Sequence, residues 1–85
     1  MLSELTLKAV QAESARAWAI HRDRSFLGDS LDTTDRLAAL IEEVGEVGKA
    51  LVEGHRRDDL VKELIQVAAS AAGWAEWLDT QPSED

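Results

Sequence analysis

The chain has 85 residues, a formal net charge of −8 and no cysteine. This length allows one small domain, and the lack of cysteine excludes disulfides and thiolate metal sites. The acidic charge argues against a duplex nucleic-acid partner, because phosphate binding requires a basic face. A nucleotide substrate remains possible, since a bound divalent cation reverses the local charge.

The composition predicts an all-α fold, because alanine is abundant, aromatic residues are few and proline occurs once. No apolar run reaches the roughly 20 residues that span a membrane. The N-terminus lacks the basic start and the apolar run of a signal peptide. We therefore expect a soluble, cytoplasmic protein with no membrane partner. A domain this small buries little surface, and oligomerisation is a usual remedy.

The first predicted helix covers residues 4–21, with Ser3 as its N-cap. Its helical stripe is weak because many of its members are small: Leu7, Val10, Ser14, Ala17, Trp18 and His21. Residues 22–32 are rich in aspartate and serine and contain a glycine, which is typical of a loop. We expect Phe26 and Leu27 of this loop to pack back onto the core.

The second predicted helix covers residues 34–53 and shows the clearest apolar periodicity of the chain. The stripe consists of Leu37, Leu40, Ile41, Val44, Val47 and Leu51. Asp32, Thr33 and Thr34 are candidate N-caps, and Gly54 suits the position just past the helix end. Outside the stripe, two acids share a file with small residues that leave room for a ligand: Ala39, Glu43, Glu46 and Ala50.

The third predicted helix covers residues 58–79 and starts at Asp58 or Asp59. Its predicted core side consists of Leu60, Val61, Leu64, Ala68, Ala71, Ala75 and Leu78. Another side carries Glu63, Gln66, Ser70, Trp74 and Trp77. Residues 81–85 are predicted to form a frayed tail. Three helices with short connections predict an antiparallel bundle, and the apolar surface of the third helix suggests that another subunit covers part of it.

Two polar pairs recur at one spacing on the second and third predicted helices. Glu43 and Glu46 are three residues apart, as are Glu63 and Gln66, which places the Cβ atoms of each pair roughly 5–6 Å apart. Antiparallel packing would let both pairs face one point. Three carboxylates and one amide oxygen make a site of the kind that Mg²⁺ or Mn²⁺ prefers. The alternative is a solvated acidic face, although like charges at this spacing repel each other.

The segments around these pairs, LIEEVGEV at residues 40–47 and KELIQV at residues 62–67, resemble the MazG-like, all-α nucleoside triphosphate pyrophosphohydrolases. That family carries an EExxE motif on one helix and an ExxD motif on the next. The resemblance extends over roughly residues 18–77. The first motif matches in full, whereas Gln66 stands where the family has an aspartate.

The resemblance implies an Mg²⁺-dependent enzyme that cleaves a nucleoside triphosphate to monophosphate and pyrophosphate, working as a homodimer or homotetramer. It assigns Glu43, Glu46, Glu63 and Gln66 to the metal and Glu42 to the attacking water. An amide oxygen holds Mg²⁺ less strongly than a carboxylate does. Two alternatives therefore stay open: a relative that binds nucleotide or metal without turnover, and a purely structural helical oligomerisation module.

Several side chains are candidates for binding the substrate. Trp18 and His21 loosely resemble the aromatic residue and histidine that family members place around the base. The alternatives are a core position for Trp18 and a helix end favoured by the dipole for His21. Lys49 is a candidate for a phosphate contact, and Ser70 shares the side of the third helix that carries the metal candidates. Further candidates are Arg22, Arg24, Arg56 and Arg57 for phosphate and Trp74 and Trp77 for base stacking or packing.

Overall fold

A computed structural model describes residues 1–82, and this part of the chain is all-α. Its elements are α1 (Glu4–His21), a 3₁₀ turn (Arg22–Arg24), α2 (Thr33–Val52) and α3 (Arg57–Asp79). The second and third helices each begin one residue earlier than predicted. No helix of the described part is long and apolar enough to cross a membrane. Residues 83–85 of the predicted tail lie outside the described residues.

Side-chain caps define where the first two helices begin. The Ser3 hydroxyl accepts a hydrogen bond from the Thr6 backbone N–H at 3.1 Å. The Asp32 carboxylate accepts one from the Asp35 N–H at 2.8 Å. Each bond satisfies an amide that would otherwise lack a partner in the first helical turn. Local sequence therefore determines both helix starts.

The start of α3 differs from the prediction. Its N-cap is Arg56, which makes no side-chain capping bond. The expectation that Asp58 or Asp59 starts the helix was wrong, because both acids lie inside its first turn. Their negative charge there is favoured by the positive end of the helix dipole. The helix start is thus stabilised by charge and not by a capping hydrogen bond.

Gly54 ends α2 and turns the chain toward α3. Its φ angle of 69° lies in the left-handed region, where glycine has no steric penalty. The Gly54 N–H donates to the Leu51 carbonyl at 3.2 Å, and the His55 N–H donates to the Ala50 carbonyl at 2.9 Å. This pair of bonds is a Schellman motif, which satisfies the last carbonyls of the helix.

The central helix is α3, which packs against both α1 and α2. The backbones of α1 and α2 do not contact each other within the described residues. The described chain measures 45 × 28 × 26 Å, with a radius of gyration of 13.8 Å. A compact chain of this length has a radius of gyration of about 12 Å. The described part of the chain is therefore less compact than a typical domain of its length.

The covered face of α2 is not its strongest apolar stripe. Four members of the predicted stripe are exposed: Leu37, Ile41, Val44 and Leu51. The buried and half-buried positions, in contrast, form the file Arg36, Ala39, Leu40, Glu43, Val47 and Ala50. An arginine and a glutamate thus lie on the inward face, while most of the aliphatic surface faces outward.

The predicted core side of α3 was also wrong. Leu60 is half-buried, but the other six predicted core residues are exposed: Val61, Leu64, Ala68, Ala71, Ala75 and Leu78. The covered side is the other one named above, with Glu63, Gln66, Ser70, Trp74 and Trp77 half-buried. The physical reason is size, because the two tryptophans bury more surface than several alanines can.

The apolar core of the described protomer is very small. Ala50 and Ala69 are its fully buried hydrophobic residues, at 3% and 6% exposure. Phe26 adds to it by packing on α3, with its ring centroid 6.4 Å from that of Trp74. Gly73 permits this approach, because a Cβ there would lie 3.1 Å from the Phe26 Cβ. The prediction for Phe26 holds, whereas Leu27 keeps much of its surface exposed.

Candidate functional site

A cavity of about 500 Å³ lies between α1 and α2, above α3 and beside the segment 25–31. Its volume falls within the range of about 300–1,000 Å³ that small-molecule sites occupy. The lining combines acidic, basic, hydroxyl and apolar groups. These include Glu13, Glu42, Glu43, Glu46, Arg16, His21, Arg24, Ser14, Ser25, Ser70, Phe26, Leu27 and Leu31. Such a mixture suits a ligand with both charged and apolar parts.

Glu43 is the acid most affected by its surroundings. It is half-buried, and its Oε1 atom has no hydrogen-bond partner among the described residues. Burial raises the pKa of this carboxyl, and the negative charges of Glu13, Glu63 and Glu42 raise it further. The nearby Ser70 hydroxyl partly opposes this increase in the Glu43 pKa. Glu43 is therefore a half-buried acid that forms no ion pair within residues 1–82.

Glu13 of α1 belongs to the same site, although the sequence did not single it out. The Arg16 Nε donates to Glu13 Oε2 at 2.9 Å, and the two side chains form an ion pair. This hydrogen bond is the main reason that the Glu13 pKa is lowered. Burial opposes the decrease in pKa, and the positive charge of Lys62 adds to it. The sequence did contain a signal for this ion pair, because Glu13 and Arg16 are three residues apart on the helix. They directly precede Ser14 and Ala17, two members of the α1 stripe.

The structure brings some of the predicted site residues to the cavity and leaves others outside its lining. Six of them line it, namely His21, Arg24, Glu42, Glu43, Glu46 and Ser70. Glu63 lies close enough to Glu43 to raise its pKa but does not line the cavity. Gln66 is half-buried on α3 and also lies outside the lining. Trp18 and Lys49 are exposed and do not line it either.

The predicted metal ligands are not gathered into a ready-made cage. Within residues 1–82, no group of three or more His, Cys, Asp or Glu side chains has an arrangement that could hold a metal ion. Carboxylates that repel each other have no reason to converge without a cation between them. The convergence of Glu43, Glu46 and Glu63 on a metal therefore stays a prediction.

One buried arginine holds segment 25–31 in its position beside the cavity. Arg36 is 0% exposed. Its Nη2 donates to the Gly28 carbonyl at 2.6 Å, its Nε to the Leu31 carbonyl at 3.1 Å, and its Nη1 to the Phe26 carbonyl. A planar guanidinium presents several donors in a fixed geometry, which a lysine cannot reproduce. Arg36 thus closes a loop whose own residues line the cavity.

Comparisons of the chain with protein-family models, with curated proteins and with solved structures gave no significant match.

Proposed function

We propose that this protein is a small nucleoside triphosphate pyrophosphohydrolase that requires Mg²⁺, or Mn²⁺ in its place, and is of the MazG-like kind. The observation that carries the proposal is the position of three acids of α2. Glu42, Glu43 and Glu46 line one cavity, and Glu43 Oε1 is buried there without a partner among the described residues. A buried carboxylate oxygen without a partner is costly, so a cation bound beside it would stabilise the site.

The donor set fits a hard divalent cation in its chemistry. Glu43, Glu46 and Glu63 would supply carboxylate oxygens and Gln66 an amide oxygen, the ligand types that Mg²⁺ and Mn²⁺ prefer. When bound, the ion would neutralise charge on the phosphate oxygens. Glu42, which also lines the cavity, would orient or deprotonate the attacking water. Side-chain rotation would be needed to bring the ligands together.

The rest of the cavity suits the rest of a nucleotide. Arg24 and His21 line it and provide basic groups for phosphate oxygens. Arg16 lines it too, although its guanidinium is paired with Glu13. Phe26 and its neighbours supply an apolar wall for a flat ring. An acidic wall and a separate apolar wall within one cavity match a ligand that joins a metal-bound phosphate chain to a heterocycle.

The proposal includes a cytoplasmic homo-oligomer of antiparallel bundles, a homodimer at least and a homotetramer by resemblance. The exposed aliphatic residues of α2 and α3 support it, because they form the surface that the small protomer core leaves uncovered: Leu37, Ile41, Val44, Leu51, Val61 and Leu64. Gly45 and Gly48 lie on an uncovered part of α2, because a Cβ added at either glycine would have no described atom of a neighbouring element within 4 Å. A second copy could approach α2 closely there.

Gln66 favours a second candidate function. It replaces the aspartate of the family pattern, and an amide oxygen is a weaker Mg²⁺ ligand than a carboxylate. A protein with this change could bind nucleotide or metal without cleaving it. Isothermal calorimetry with Mg²⁺ separates such a binding protein from a purely structural oligomerisation module, which would bind no ion.

The deciding experiment measures pyrophosphate release from a panel of ribo- and deoxyribonucleoside triphosphates with Mg²⁺ or Mn²⁺. We expect wild type to release pyrophosphate from at least one of them and Glu43→Gln to be slower by about 100-fold. The matched control is Glu76→Gln, which changes an exposed acid of α3 outside the cavity lining. A wild type that releases no pyrophosphate from any member of the panel would overturn the proposal.

A further inference from the structure

Ser25 is a buried residue of the cavity wall whose hydroxyl has no hydrogen-bond partner among the described residues. It is 5% exposed, it lines the cavity, and its Oγ makes no hydrogen bond within residues 1–82. A buried polar group without a partner destabilises the folded protein. Native structures contain few such groups, and each calls for a physical reason. A ligand that enters the cavity and completes the bond is such a reason.

The Ser25 backbone is fully used, which leaves the hydroxyl as its free polar group. The Ser25 N–H donates to the Arg22 carbonyl at 2.9 Å, and the Ser25 carbonyl accepts from the Gly28 N–H at 3.0 Å. Gly28 is essential to this tight turn, because an added Cβ would collide with the backbone of Asp23. Backbone hydrogen bonds, and not its own side chain, thus hold Ser25 in position.

The wall that contains Ser25 is held in place by hydrogen bonds that do not involve a ligand. The three carbonyl bonds of Arg36 hold the segment that begins with Phe26, the residue directly after Ser25. Rotation of the hydroxyl among its staggered positions is inexpensive, so it can turn toward a group in the cavity. Groups held in place before binding cost little to order when a ligand arrives.

We propose that Ser25 is a specificity-determining residue whose hydroxyl hydrogen-bonds a polar edge of the ligand's ring, beside Phe26. This inference deepens the proposed function and rests on it, because the ring is the heterocycle of a nucleoside. A hydroxyl both donates and accepts, so it can pair with a ring carbonyl, a ring nitrogen or an amino group. A site built on such a bond rejects rings that lack the matching group.

The test compares Ser25→Ala with wild type in two measurements: the melting temperature of the ligand-free protein and the Kd for a panel of nucleosides without phosphate, read by NMR. We expect the ligand-free melting temperature to stay the same or rise, because alanine removes an unpaired polar group. The Kd for the preferred nucleoside should rise about tenfold, the effect of losing one good hydrogen bond. Ser30→Ala, an exposed change in the same segment, should match wild type in both measurements.

The outcomes separate this inference from the proposed function. Nucleoside binding that Ser25→Ala weakens, with no pyrophosphate released by wild type, would support the role of Ser25 and overturn the enzyme. Pyrophosphate release with an unchanged KM in Ser25→Ala would support the enzyme and overturn the role of Ser25. A lower melting temperature with an unchanged Kd would show that the hydroxyl is structural. Absence of nucleoside binding by wild type at millimolar concentration would also overturn the inference.

Discussion

The guanidinium carbon of Arg36 lies 3.9 Å from the centre of the Trp77 ring, which places a buried cation on an aromatic face. The Trp77 Nε1 in turn donates to the Asp29 carboxylate at 2.8 Å. Burial lowers the pKa of the Arg36 guanidinium, and the charge of Asp29 opposes this change. Arginine keeps its charge in proteins, so this cation stays charged while buried. Trp77 therefore connects α2 to the loop beside the cavity.

Replacing Arg36 with lysine should destabilise the protein by roughly 2–4 kcal/mol. A compact ammonium cannot reproduce the planar arrangement of donors that reaches three carbonyls and stacks on Trp77. Chemical denaturation measures the change. Arg56→Lys is the matched control, since Arg56 is exposed and makes no side-chain capping bond. An Arg36→Lys variant with the denaturation midpoint of wild type would contradict the clamping role.

Replacing Glu43 with glutamine should stabilise the metal-free protein at pH 7. The pKa of Glu43 is raised in the folded protein, so ionisation of this carboxyl opposes folding. The folded protein therefore loses stability as the pH rises from the ordinary carboxyl pKa to the raised pKa of Glu43. The melting-temperature gain of Glu43→Gln should therefore be full above that window and disappear below about pH 4. Melting curves across pH in a chelator test this, with Glu76→Gln as control. A gain that does not change with pH would show that burial and charge at Glu43 are unimportant.

Adding Mg²⁺ should raise the melting temperature if the acids of α2 and α3 bind it. A cation at a hundred times its Kd stabilises a native state by about 2.7 kcal/mol, which corresponds to several degrees for a domain of this size. Glu46→Gln should remove the increase. If wild type melts identically with and without millimolar Mg²⁺ or Mn²⁺, the cavity is not a metal site under those conditions.

Replacing Gln66 with aspartate tests the departure from the family pattern. If Gln66 is a metal ligand, a fourth carboxylate should lower stability without metal through like-charge repulsion and tighten Mg²⁺ binding when metal is present. The difference in melting temperature between metal-free and metal-bound protein should widen. Calorimetry with Mg²⁺ on both variants measures the affinity directly. Equal affinities would remove Gln66 from the ligand set and leave three carboxylates.

The protein should be at least a dimer at micromolar concentration, because the aliphatic residues of α2 and α3 are exposed in the protomer. Ile41→Glu places a charge in that surface and should shift the mass toward the monomer. Thr34→Glu, at the exposed start of the same helix, is the control. Light scattering reports the mass, and a wild-type value near 9.3 kDa would rule out the oligomer.

Features that depend on neighbouring residues were determined by the sequence alone. Ser3 caps α1 because its hydroxyl reaches an amide three residues ahead, and Asp32 does the same for α2. Gly54 marks the end of α2 because few other residues accept its backbone conformation. The spacing of Glu43 and Glu46 also predicted that they share one side of α2, and both line the cavity.

The tertiary structure decided which side of each helix faces inward. Periodicity identifies the sides of a helix but not the side that a neighbour covers. Most residues of the predicted apolar stripes of α2 and α3 proved to be exposed. The covered sides contain Arg36 and Trp77, whose contact joins residues distant in sequence. Glu13 and Ser25 were likewise identified as site residues only from the tertiary structure. Their burial and charge interactions depend on packing between elements, which no local pattern specifies.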